Sequence, residues 1–100
     1  MTQPSIDHII RAAITVARTD TTCFFGTDRG RASFARRLAA AVIQEEKGWA
    51  TPCIAKAIGL RSHSSVVVTL QRWRNLPEWE RDAAMKEMRR EIDRLRGGEQ

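Results

Sequence analysis

Apolar residues return every three or four positions along almost the whole 100-residue chain. That spacing is the pattern of helices with one buried stripe, and it leaves little room for a sheet. Ile6, Ile9, Ile10, Ala13, Ile14 and Ala17 form one such stripe, and Ser5 stands where an N-cap belongs. The polar cluster Thr19-Asp20-Thr21-Thr22 is expected to end that helix, and Cys23-Phe24-Phe25 to follow as an apolar plug of one short helical turn. Phe34, Leu38 and Val42, with Ala35, Ala39 and Ile43 beside them, predict a second long helix over residues 32–47, stopped by Gly48. Thr51-Pro52 reads as N-cap and first helical position of a short helix over 52–58 that ends at Gly59.

Val66-Val67-Val68-Thr69 is the one strand-like run. Its surroundings favour a helix capped by Ser62 or Ser64, running to about residue 74, with Val66, Val67, Leu70 and Trp73 on the buried side. Asn75-Leu76-Pro77 breaks the chain, and Pro77 opens a last helix to about residue 96. Leu76, Trp79, Ala83, Met88, Ile92 and Leu95 give its apolar face, with Met85 alongside. The expected class is therefore all-α: one compact domain of five or six helices with its core over about residues 5–96, and a frayed tail at 97–100. A chain of this length buries one modest core, and 42% apolar residues suffice to fill it.

Charge narrows the class of partner. The net charge is +5, but its distribution is uneven: residues 1–74 carry 11 Lys/Arg against 5 Asp/Glu, and the remainder carry 6 against 7. A positive field of that kind suits a polyanion. Arg outnumbers Lys 14 to 3, which favours forked recognition of phosphates and base edges. No apolar run is long enough to span a membrane, and the stretch after Met1 is interrupted by Asp7, His8 and Arg11, unlike a secretory leader. A cytoplasmic, nucleoid-associated protein is expected. Cys23 and Cys53 form no CxxC pair and, with His8 and His63, fit no common zinc spacing. Both are expected as small reduced core residues, with His8 at the surface and Trp73 and Trp79 in helix packing. No nucleophile–base pair, metal spacing or phosphate-binding GxxxxGK[ST] loop appears, so neither an enzyme nor a cofactor is expected.

The most informative stretch covers residues 51–73. A short helix, a glycine-bearing three-residue turn and a second helix describe a helix-turn-helix. In that motif the N-terminal residues of the second helix meet DNA in the major groove. Here they are Arg61, Ser62, His63, Ser64 and Ser65. The string Ile54-Ala55-Lys56-Ala57-Ile58-Gly59-Leu60-Arg61-Ser62-His63-Ser64-Ser65-Val66-Val67 resembles, without a gap, the signature of the C-terminal DNA-binding domain of the bacterial replication initiator DnaA. In that signature an Asp stands at the position of Ser62, and threonines stand at those of Ser64 and Ser65. Pro52, the loop Gly26-Thr27-Asp28-Arg29-Gly30-Arg31 after the paired phenylalanines, and Arg36-Arg37 also resemble that domain in position.

The resemblance implies the Trp-repressor-like fold of that domain and binding to double-stranded DNA, in replication control or transcription. It implies that His63, Ser64 and Ser62 read bases in the major groove, that Arg29 enters the minor groove, and that Arg36 contacts bases or phosphate. Phosphate contacts fall to Arg61, Ser65, Lys56, Arg31 and Arg37. The initiator's ATPase module has no counterpart, so either a stand-alone DNA-binding protein, the favoured case, or a fragment of a longer initiator is expected. The alternative is an interaction module that dimerises or captures a replication initiator through residues 76–95.

Overall fold

The computed structural model describes residues 4–26, 29–60 and 62–97. Six helices account for most of them: α1 (Ile6–Ala17), α2 (Thr21–Phe25), α3 (Arg31–Lys47), α4 (Thr51–Ile58), α5 (His63–Arg74) and α6 (Glu78–Gly97). No strand occurs among the described residues. The triple valine lies inside α5.

The boundaries follow local chemistry. Ser5 Oγ accepts the His8 N–H at 3.1 Å and opens α1. Arg18, in the left-handed region at φ 58°, closes it, and the Thr19 N–H reaches back to the Ile14 carbonyl at 3.0 Å. The polar cluster that ends α1 also starts α2, because Asp20 accepts the Cys23 N–H at 2.8 Å. That hydrogen bond holds the Asp20 carboxyl below its ordinary pKa. The small contribution of this cap is therefore complete above the ordinary carboxylate range and is lost as pH falls through the lowered value.

Four expected boundaries move by one residue. α3 begins at Arg31, and α6 runs from Glu78 through Gly97. Pro77 sits outside α6, its carbonyl accepting the N–H groups of Glu80 and Arg81. The cap of α4 is Ala50, not Thr51: Ala50 is extended, and its carbonyl accepts from Cys53 and Ile54. Pro52 then falls in the first turn, where a missing N–H costs nothing.

α3 is the centre of the fold. It packs against α1, α5, α4, α2 and α6. Ala32, Ala35, Leu38, Ala39, Ala40, Ala41, Val42 and Ile43 are all buried along it. The alanines favour the helix and let its neighbours approach closely. α1 lies against both α3 and α6, so its buried arc is wider than one stripe. His8, expected at the surface, is thereby buried at 8% exposure, beside Ile9 and Ala12. α4 contributes Ile54, Ala55 and Ile58, and α5 contributes Val66, Leu70 and Trp73.

Two expected apolar faces need correction. Val67 does not share the stripe of Val66, Leu70 and Trp73; it is 40% exposed, one position out of phase. In α6 the buried row is Ala84, Met88 and Ile92, with Met85 and Leu95 half-buried. Trp79 stands nine residues before Met88, two and a half turns away and so on the opposite side of the helix. It is 72% exposed, and Ala83 is exposed as well. The cysteines are also less buried than expected, Cys23 being half-buried and Cys53 exposed. Most of the apolar stripe within residues 76–95 is thus internal, with α6 seated on α1.

Gly59, at φ 76°, closes α4 in the left-handed region, and a β-carbon there would lie 2.8 Å from Phe25 Cδ1. Gly59→Ala should lower stability by about 1–2 kcal/mol from the backbone conformation alone. Gly59→Asn should lose less of that backbone part, because Asn tolerates this region better. Urea denaturation of the two variants checks the order.

Candidate nucleic-acid interface

The α4–turn–α5 unit is held from behind. The Leu60 N–H returns to the Ala55 carbonyl at 2.9 Å, which tightens the exit of α4 into the turn. α5 then packs on α4 and α3 through Val66, Leu70 and Trp73. With that side fixed, the opposite side of α5 faces outward. His63 and Ser64 are exposed in its first turn, Val67 and Val68 in the next, and Gln71 and Arg72 in the one after. These pairs recur every four residues and so form two adjacent rows along one helix face. Ser64, Ser65, Val68, Thr69 and Arg72 line a shallow depression of about 360 Å³.

Ser62 is the N-cap of α5. Its Oγ accepts the Ser65 N–H at 3.4 Å and lies 3.3 Å from the Ser65 hydroxyl. Its hydroxyl therefore holds the start of the helix, and Ser65 is half-buried beside it. Of the residues singled out in this segment, His63 and Ser64 are the two left fully outward in α5. Lys56 is exposed on the last turn of α4. Arg61, Thr27 and Asp28 lie outside the described residues.

The loop after α2 starts beside this unit. Phe24 is buried, and its ring meets that of Phe25 edge-on at 4.8 Å. Phe25 in turn lies against Gly59, so the loop leaves the domain next to the turn that precedes α5. Arg29 is exposed in that loop, and Arg31 is exposed as the first residue of α3. Arg36 and Arg37 are half-buried further along α3. Burial, and after it the positive charge of Arg72, holds the Arg37 guanidinium below its ordinary pKa, and Arg37 Nε is buried without a hydrogen-bond acceptor. The positive charge of Arg72 on α5 thus disfavours that of Arg37 on α3.

The electrostatics of the segment are one-sided. From position 47 to 77 the sequence holds no Asp or Glu, while Lys47, Lys56, Arg61, Arg72 and Arg74 all lie within it. Ion pairs between described residues join Asp7 to Arg11, Glu45 to Arg89, and Glu91 to Arg94, all outside this segment. Arg74 Nη2 donates to a neutral partner, Gln44 Oε1, at 3.4 Å. Arg72, Val67, Val68 and Gln71 are outward residues of α5 that a reading limited to its first turn does not find. Their signal was in the sequence, as the fourth and eighth positions after His63 and Ser64. No known protein family, curated protein or solved structure matches this chain.

Ser62→Ala should cost about 1 kcal/mol of stability, and Ser62→Asp should retain most of it, since both Ser and Asp accept at an N-cap. Thermal or urea unfolding of the two variants checks this.

Proposed function

We propose that this chain binds double-stranded DNA in a sequence-specific manner, through the outward face of α5 set into the major groove and the Arg29 loop set against the backbone or the adjacent minor groove. The observation that carries this reading is the union of shape and charge at α5. Its first turn presents His63 and Ser64, its third presents Gln71 and Arg72, and the whole helix-turn-helix segment is free of acidic residues. Major-groove readers of this architecture place such residues on base edges, while flanking cations and free helix N–H groups hold phosphates. The resemblance of residues 54–67 to the initiator signature supports the same reading, and suggests a small regulator in replication control or transcription that acts at a site of about one helical turn.

In this arrangement His63 and Ser64 contact bases. Ser62 positions them by capping the helix. Arg29 and Arg36 are further candidates for base contact, while Lys56, Arg31, Arg37, Arg61 and Ser65 serve the phosphates. Arg37 and Arg72 together suit an oxyanion, because an anion offsets the repulsion between two guanidiniums.

The test is fluorescence anisotropy with a labelled duplex carrying an initiator-type box resembling TTATCCACA, with its scramble, and with a site selected from a random library, each at two salt concentrations. A preference of about 10³ or more for one site is the expected outcome. His63→Ala should weaken that site by about 1–3 kcal/mol and relax specificity at one position. Arg29→Ala should weaken binding and reduce the slope of log K against log salt by about 1. Weak binding to every duplex, insensitive to salt, would remove the proposal.

A further inference from the structure

We propose that Val67 and Val68 read thymine through its 5-methyl group, making the middle of α5 a second specificity element beyond the His63–Ser64 turn. This rests on the DNA-binding reading and adds to it the identity of a base.

Val66 is fully buried, whereas Val67 and Val68 are 40% and 45% exposed. The two exposed valines are thus not part of the packing that anchors the helix. Each stands in a row of outward residues four apart: His63, Val67 and Gln71 in one, Ser64, Val68 and Arg72 in the other. Four residues advance a helix by about 6 Å, so each valine sits one turn beyond a polar residue of the first turn and one turn before a residue able to contact a base or phosphate. Val68 also lines the depression shared with Ser64, Ser65, Thr69 and Arg72.

The chemistry selects the ligand. A valine side chain has no donor or acceptor, so the polar edges of the bases offer it nothing. The thymine methyl is the apolar feature that an unmodified major groove presents. The surroundings select the class of partner. Arg72 at the end of one row, Arg37 beside it and a segment with no acidic residue favour a polyanion over an apolar protein face. A face ordered polar, methyl-seeking, then cationic matches a groove in which base edges give way to phosphates.

The experiment uses the full chain and the preferred duplex from the library selection. Each thymine is replaced singly by deoxyuridine, which removes the methyl and leaves the hydrogen-bonding edge unchanged. At one or two positions the wild-type protein should lose about fourfold in affinity, the value of one methyl group taken out of water. Val68→Ser or Val67→Ser should bind the thymine duplex about as weakly and no longer distinguish the deoxyuridine duplex, while the salt slope stays unchanged. Val68→Thr, which keeps one methyl group, should retain part of the discrimination. Circular dichroism melts should coincide with wild type, because both side chains lie outside the core. If deoxyuridine costs nothing at any position while His63→Ala still relaxes specificity, the valines are not readers and the DNA-binding reading stands. The same conclusion follows if the serine variants discriminate as wild type does. Absence of sequence preference for any duplex overturns both.

Discussion

Burial of α3 is the constraint on which the other helices depend. It packs against all five other helices, and along its length eight residues are buried, five of them alanine. Small side chains let the neighbouring backbones come close, so a short chain can surround a helix that offers few large apolar groups. Leu38 and Ile43 supply the bulk, together with Phe24, Ile9, Ile54, Ile58 and Met88 from the surrounding elements. The stability of the outward-facing unit is borrowed from this centre. α4 and α5 are short helices of 8 and 12 residues, marginal as isolated peptides in water, and their conformation is set by packing on α3.

That dependence also explains why one side of α5 is open. Val66, Leu70 and Trp73 dock it from behind, and His63, Ser64, Val67, Val68, Gln71 and Arg72 remain exposed among the described residues. The exposed arc is then free to vary in chemistry without cost to the core. It holds an imidazole, hydroxyls, two aliphatic groups, an amide and a guanidinium. Such variety on one rigid face is suited to recognition, whereas a face kept only for solubility would carry mostly charges of both signs. By contrast, the outer face of α6 mixes Asp82, Lys86, Glu87, Arg89, Arg90, Asp93 and Arg94, the pattern of a solvated helix.

Much of the fold was legible because periodicity and caps agree along the chain. Ser5, Gly48, Gly59 and Ser62 each mark an end that the structure bears out. What could not be read was phase and partnership. The apolar residues of α6 fit one stripe only if Trp79 and Ala83 are allowed to drift around the helix, and geometry places them elsewhere. His8 is polar by type, yet buried because two helices rather than one cover α1. At the candidate site, the first turn of α5 and its capping serine could be found from residue type and position. Arg72 could not, because its significance comes from Arg37, thirty-five positions away, brought near by the α3–α5 crossing.

The contact between Phe25 and Gly59 joins two segments that the sequence keeps apart. One is the end of α2, from which the arginine loop departs. The other is the turn from which α5 departs. A half-exposed ring lies against a residue without a side chain, so the packing of one segment depends on the place of the other. Residues in contact in this way commonly show non-additive effects when both are changed. A domain this small can in this way set the end of α2 beside the turn before α5 without a further layer of structure.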